Sequence, residues 1–453
     1  MKQSPLFYIK SGSIYSEQGF KQIFKGITVP VQYALENITE KNADSFFSKL
    51  SIKGFNLIEW EIAWENIESS GPEEYNEEYL ANLRLILKKA EEHNIFIFIQ
   101  PTMTKWCKTN GGIGAPDWTL DLIGIDIKKL KNKRTELAEK VSYDDYIEKT
   151  MFSLFWAGKK YAPDFLVEGD NIQEYLQNHY IAAMKHTARR IKDCKAVIGF
   201  GFMKDASKGF IGIQDISKIP VQKNTSILSA LTATEYQLST FETFKIMQGF
   251  NGIAEKSGGS LTGLLQSSKK EIVSDTNIFK EGFNCPWIKS GVWHIENNNT
   301  CILDNSNFFE TNSENFSNEF YRKKFQTNFF EAFQKKHGHY FFFSEADTQE
   351  HYTSWIYNES ICEEKIDLTE KEGGVITNGD SEAFKIIMLC KMQTPQKNGK
   401  GQVDIENTKK ILASTIAEAN KGNLAIIVNN LDSTLDFSEY NKIYEAEKLK
   451  ELI

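Results

Sequence analysis

The strongest constraint in this sequence is an apolar run, Ala196 to Met203, that stops at Lys204-Asp205-Ala206, with Gly209 and Gly212 just beyond. A run that is apolar at every position, without alternation, suits a strand buried on both faces in a parallel sheet. Similar stretches recur at Ile23–Pro30, Gly54–Glu61, Ile95–Ile99, Tyr340–Phe343, Ile386–Cys390 and Leu424–Val428. Helical patterns separate them: one opening at Thr39, then Glu73–Glu92, Ile172–Arg190, Phe316–Lys336, Asn407–Ala419 and Tyr440–Ile453. This alternation predicts an α/β fold, a (β/α)8 barrel. The whole chain, 1–453, reads as one domain with insertions at about 100–175 and 214–300; only 346–384 resist parsing. In such a barrel the chemistry sits at the carboxyl ends of the strands. Lys204-Asp205-Ala206 is such an end.

Composition narrows the function classes. Acidic residues (61) exceed basic ones (53), giving a net charge of −8, so broad electrostatic binding to nucleic acid or to an anionic membrane is not expected. Six cysteines are scattered without a Cys-x-x-Cys pair, so neither a zinc site nor a redox motif is indicated and no cofactor is expected. The amino terminus lacks the apolar core of a signal peptide, and no stretch is apolar enough to span a bilayer. The expectation is a soluble cytoplasmic protein with free thiols.

Several motifs are more particular. Gly54-Phe55-Asn56 is followed by Ala63-Trp64-Glu65-Asn66-Ile67-Glu68 and Gly71-Pro72. Trp106 precedes Gly111-Gly112-Ile113-Gly114-Ala115-Pro116-Asp117-Trp118-Thr119-Leu120. Leu154-Phe155-Trp156-Ala157-Gly158, Tyr161-Ala162-Pro163, Tyr175-Leu176-Gln177, Gly199 with Gly209-Phe210-Ile211-Gly212, Cys285-Pro286-Trp287 and Gly291-Val292-Trp293 complete the set. Together these stretches resemble glycoside hydrolase family 5, in the endoglycoceramidase-related branch that includes sterylglucosidases. The resemblance covers about residues 20–345. It implies a barrel that takes a glycoside or glycolipid, without a cofactor. The β-sandwich that often follows the barrel in this branch is not expected here.

The resemblance also assigns positions. Retaining glycosidases work with two carboxyls about 5–5.5 Å apart, one a proton donor and one a nucleophile. The family's acid/base glutamate, in an Asn-Glu-Pro motif, falls on Asp205 of Lys204-Asp205-Ala206. Its nucleophile falls on Lys391, whose ammonium cannot attack an anomeric carbon. The arginine that steadies the nucleophile falls on Glu59. A His-Gln-Asp run reads Thr102-Met103-Thr104, and the asparagine of the first strand reads Thr28. Packing motifs persist while pocket chemistry is replaced.

Each candidate has a plainer reading. Asp205 is a residual acid or a polar strand-end residue. Glu59 and Glu61 are read as pointing to opposite sides of their strand, one of them pairing with Lys204 or Lys391. Glu345 is a pocket carboxylate or a rim residue. Trp106, Trp118, Trp287 and Trp293 stack on sugar or lipid, or form the core of the long loops. His337-Gly338-His339 reads as a helix-end turn rather than a metal site. The leading expectation is a pseudo-glycosidase that binds a carbohydrate or glycolipid, or acts as a scaffold. The alternative is an active β-glycosidase of the glucosylceramide or sterylglucoside type that uses relocated carboxylates such as Asp205 with Glu345 or Glu59.

Overall fold

The computed structural model describes residues 7–10, 13–16, 19, 24–52, 54–138, 140–143, 145–219, 236–256, 269–297, 300–311, 318–337, 341–343, 352–354, 387–392 and 425–428. Eight strands build the main sheet: β1 (Phe24–Val29), β2 (Leu57–Ile62), β3 (Phe96–Pro101), β4 (Val197–Gly201), β5 (Phe341–Phe343), β6 (Tyr352–Ser354), β7 (Ile387–Met392) and β8 (Ala425–Val428). Their spatial order is β5-β4-β3-β2-β1-β8-β7-β6. All pairs are parallel except β6 with β7. Strands β5 and β6 are edges, so the sheet does not close among the described residues. The α/β class with a parallel sheet is as the sequence predicts.

Helices α1 (Glu40–Ile52), α2 (Glu77–Glu92), α3 (Ile127–Ala138), α4 (Tyr146–Tyr161), α5 (Ile172–Arg190), α6 (Thr240–Met247) and α7 (Asn318–His337) accompany the sheet. α2 starts at Glu77 rather than Glu73. The side chain of Asn76 accepts from the Tyr79 amide at 3.0 Å and caps the helix, while Glu73 has a left-handed φ of 63°. From that cap, Leu80, Leu83, Ile86, Leu87 and Ala90 form one buried stripe. The amino end of α2 is tied to the carboxyl end of α5. His186 stacks on Tyr75 at 3.9 Å, meets Glu77 through Nε2 at 2.8 Å, and meets Arg189 through Nδ1 at 2.6 Å.

The described parts of the two insertions carry elements that their sequences do not indicate. In the first, Thr104 bridges Ile113, and α3 and α4 follow. The second holds α6 and a three-stranded antiparallel sheet of Tyr236–Leu238, Gly252–Lys256 and Lys269–Ile272. They dock on each other through the bridges Ile125 to Phe279 and Ser142 to Gln237. The predicted helices at 407–419 and 440–453 lie outside the described residues, as does 346–384 apart from β6.

Candidate functional site

Alternation along the strands decides what reaches the site. Trp60 packs against Phe47 of α1, with ring centroids 6.5 Å apart, so it faces the helices. Its neighbours Glu59 and Glu61 therefore both face away from them, since a strand repeats every two residues. The expectation that the two glutamates point to opposite sides is corrected here. On β4, Phe200 meets Phe333 and the following Phe202 meets Phe329, both on α7. Gly199 and Gly201 thus line the helix-free face. A Cβ at Gly201 would lie 2.4 Å from the amide end of the Gln100 side chain, so a larger residue there would displace Gln100 from its present position.

Strict alternation would turn Lys204 toward the helices with Phe200 and Phe202. The pairing prevents it. Ile99 pairs with Phe200, but Thr102 pairs with Lys204, so the β4 side carries one extra residue. Such a bulge re-aims the side chains that follow it. Here it turns Lys204 onto the helix-free face. The backbone is fixed there: the Lys204 amide donates to Pro101 at 2.8 Å, and the Met103 amide donates to the Lys204 carbonyl at 3.0 Å.

The result is a buried charge cluster. The Lys204 ammonium forms an ion pair with Glu61 and lies 3.5 Å from Glu59. Glu59 also accepts from the Thr28 hydroxyl at 2.5 Å. Thr28, Glu59, Glu61, Gln100, Thr102, Met103 and Lys204 are all buried. The Thr102 hydroxyl is buried without a hydrogen-bond partner among the described residues. Asp205 lies apart. It is exposed, in a left-handed conformation with φ 61° that a non-glycine residue adopts at a cost of about 1–2 kcal/mol.

Lys391 is the fifth residue of β7, paired with Ile427 of β8. Its side chain and all of Glu345 lie outside what the structure describes. Sequence reading missed Gln100, although a lone amide closing the apolar run at Ile95–Ile99 is a usable signal.

The tryptophans form part of the loop packing. Trp106, Trp287 and Trp293 are fully buried. Trp106 donates to Thr119 at 2.9 Å, and Trp287 to Thr150 at 3.3 Å. Trp118 is half-buried and donates to the Glu68 carbonyl at 2.8 Å. The Trp64–Glu68 motif is likewise a packing node. Glu68 accepts from the Trp64 indole and the Glu73 amide, both at 2.5 Å, and its carboxylate meets His179 at 3.1 Å. Glu65 takes the amides of Lys108 and Gly114, and burial holds its carboxyl above the usual range. His337 ends α7, and Gly338 and His339 lie outside the described residues. Among the described residues no group of three or more His, Cys, Asp or Glu could hold a metal ion, and no helix is long and apolar enough to cross a membrane.

Comparison with known proteins gives three informative likenesses. Over 217 residues the chain is 32% identical to a glucosylceramidase of Aspergillus fumigatus, a match spanning 44% of this chain and 29% of that protein. Over 315 residues it is 24% identical to an ergosteryl-beta-glucosidase of Saccharomyces cerevisiae, spanning 58% of this chain and 40% of the relative. The solved structure of sterylglucosidase 1 from Cryptococcus neoformans matches with a TM-score of 0.61 at 20% identity, over 76% of this chain and 57% of that one. That likeness speaks for the fold alone. No family model matches. The chain spans less than half the length of the curated relatives it matches. Its relatives are glycoside hydrolases of the glucosylceramidase and sterylglucosidase type.

Proposed function

We propose that this chain is a (β/α)8 barrel derived from a glycoside hydrolase of family 5, and that it binds a glucosylated lipid without cleaving it. The observation that carries the reading is the Lys204 ammonium, buried at the carboxyl end of β4 and held by Glu59 and Glu61. Glycoside cleavage builds oxocarbenium character at the anomeric carbon, and two free carboxyls must flank that carbon. Here both carboxylates on the helix-free face of β2 are already engaged. A cation stands among them, where it opposes a developing positive charge. Asp205, at the position of the family acid, is exposed. Lys391, at the position of the family nucleophile, offers no carboxyl.

A second reading is favoured by the relatives, whose names are those of glucosidases. In it the chain is an active β-glucosidase acting on glucosylceramide or a steryl glucoside, with Asp205 and Glu345 as the carboxyl pair. Equilibrium binding with fluorescent glucosylceramide and the matching ceramide addresses the first reading. A clear preference for the glucosylated lipid, with no glucose released, supports it. Equal affinity for both, or binding of neither, rejects it.

A further inference from the structure

We infer that helix α3 and the chain beside it form a docking face for an anionic lipid surface; the choice of lipid rests on the glycolipid reading above. α3 buries Leu130, Lys133 and Leu137 and turns Lys128, Lys129 and Lys131 outward. Glu136, the described carboxylate of the helix, is taken by Lys133 at 3.3 Å and Lys140 at 2.8 Å. None of the three outer lysines has a salt bridge among the described residues, although Asp126, just ahead of the helix, accepts from the Lys128 and Lys129 amides and feels the Lys129 charge. Two exposed apolar side chains lie on the chain that packs against the turn before the helix and against its buried Lys133. Phe283, 43% exposed, lays its ring 2.1 Å from where a Cβ of Gly124 would stand, three residues ahead of the helix. Val273, 64% exposed, precedes Ser274, whose hydroxyl meets Lys133 at 3.0 Å.

Lysines beside an exposed aromatic ring suit a lipid headgroup layer, where ammonium groups meet phosphates and the ring enters the interface. The net charge of −8 opposes attraction of the whole molecule to such a surface. Attraction is therefore local, falls off within about 8 Å at physiological salt, and selects one orientation. Both stretches belong to the long connections that leave the carboxyl ends of β3 and β4. That is the end of the sheet carrying Lys204. Docking through α3 presents this end to the bilayer in which a glycolipid would be embedded.

The probe is phosphatidylcholine vesicles with and without phosphatidylserine, free of glycolipid, co-sedimented with the full chain at low and high salt. The expected result is binding that needs phosphatidylserine and weakens with salt. Lys128→Glu/Lys129→Glu/Lys131→Glu should lower it about a hundredfold or more, since each lysine near an anionic surface contributes roughly fivefold. Phe283→Ser should lower it less, with the thermal midpoint unchanged in both variants. Undiminished binding of the triple variant, binding indifferent to phosphatidylserine, or tighter binding to single-stranded RNA would each overturn the inference. Because the vesicles contain no glycolipid, failure here leaves the reading of the Lys204 site standing. Failure of glycolipid binding alone leaves the docking face standing.

Discussion

Lys204, just past β4, forms an ion pair with Glu61 of β2 although β3 lies between their strands. The ammonium lies on the helix-free face of the sheet, with Glu59 on the same side. Removing one partner of a buried pair leaves a charge uncompensated, at a cost of about 3–5 kcal/mol. Lys204→Met should therefore lower the unfolding free energy in urea by about that amount. Adding Glu61→Gln should recover part of the loss, because the neutral amide no longer needs a counter-ion. A Lys204→Met variant as stable as the parent would show that the cluster is not coupled to folding.

The loop after β3 predicts a second effect. A Cβ on Gly112 would lie 1.8 Å from the Thr104 carbonyl oxygen, so Gly112→Ala has to move backbone rather than a flexible side chain. The expected loss is about 1–3 kcal/mol, the range for forced overpacking. Thermal unfolding of the purified variant measures it, with Gly71→Ala as the control for a glycine whose added Cβ has room. Like Gly112, Gly71 lies outside the left-handed region, and its added Cβ would come no closer than 3.5 Å to a neighbour, the flexible Glu74 side chain.

His186 predicts a pH dependence. Arginine can only donate, so Nδ1 of His186 accepts from Arg189 and Nε2–H donates to Glu77, which fixes the neutral tautomer. Burial lowers the imidazole below its usual value of 6.5. The unfolded chain then takes up the proton first, so stability present above about pH 6.5 is lost as the pH falls through that region. Glu77 adds a loss at lower pH. The hydrogen bond from Arg190, opposed by burial and reinforced by His186, holds its carboxyl below the usual range. His186→Gln keeps an acceptor and a donor without a titrating group. Its melting temperature should fall less than the parent's between pH 7 and about pH 5. Parallel pH profiles for the two proteins would contradict this assignment.

The parallel sheet was legible because most of its strands are apolar runs set apart by helical patterns in the sequence, and the run Ala196–Met203 does become β4 with its extension. The persistence of the Trp64–Glu68 and Gly111–Thr119 motifs is explained by packing: their indoles, carboxylate and glycines tie the long loops together. The orientation of Lys204 was not legible. It depends on one extra residue between Phe200 and Lys204, which shows only in the pairing with β3. The placement of Glu59 and Glu61 could have been read from the two-residue period of a strand. The antiparallel sheet of the second insertion was hidden because strands such as Lys269–Ile272 are mostly exposed and carry no apolar run.

The proposal with the widest consequence is that the site around Lys204 does not hydrolyse glycosides. Its most direct measurement is glucose release from glucosylceramide, a steryl glucoside and an aryl β-glucoside by the purified chain and by Asp205→Ala. The account predicts release at the uncatalysed background for both proteins. Turnover by the parent that is abolished in Asp205→Ala would contradict it.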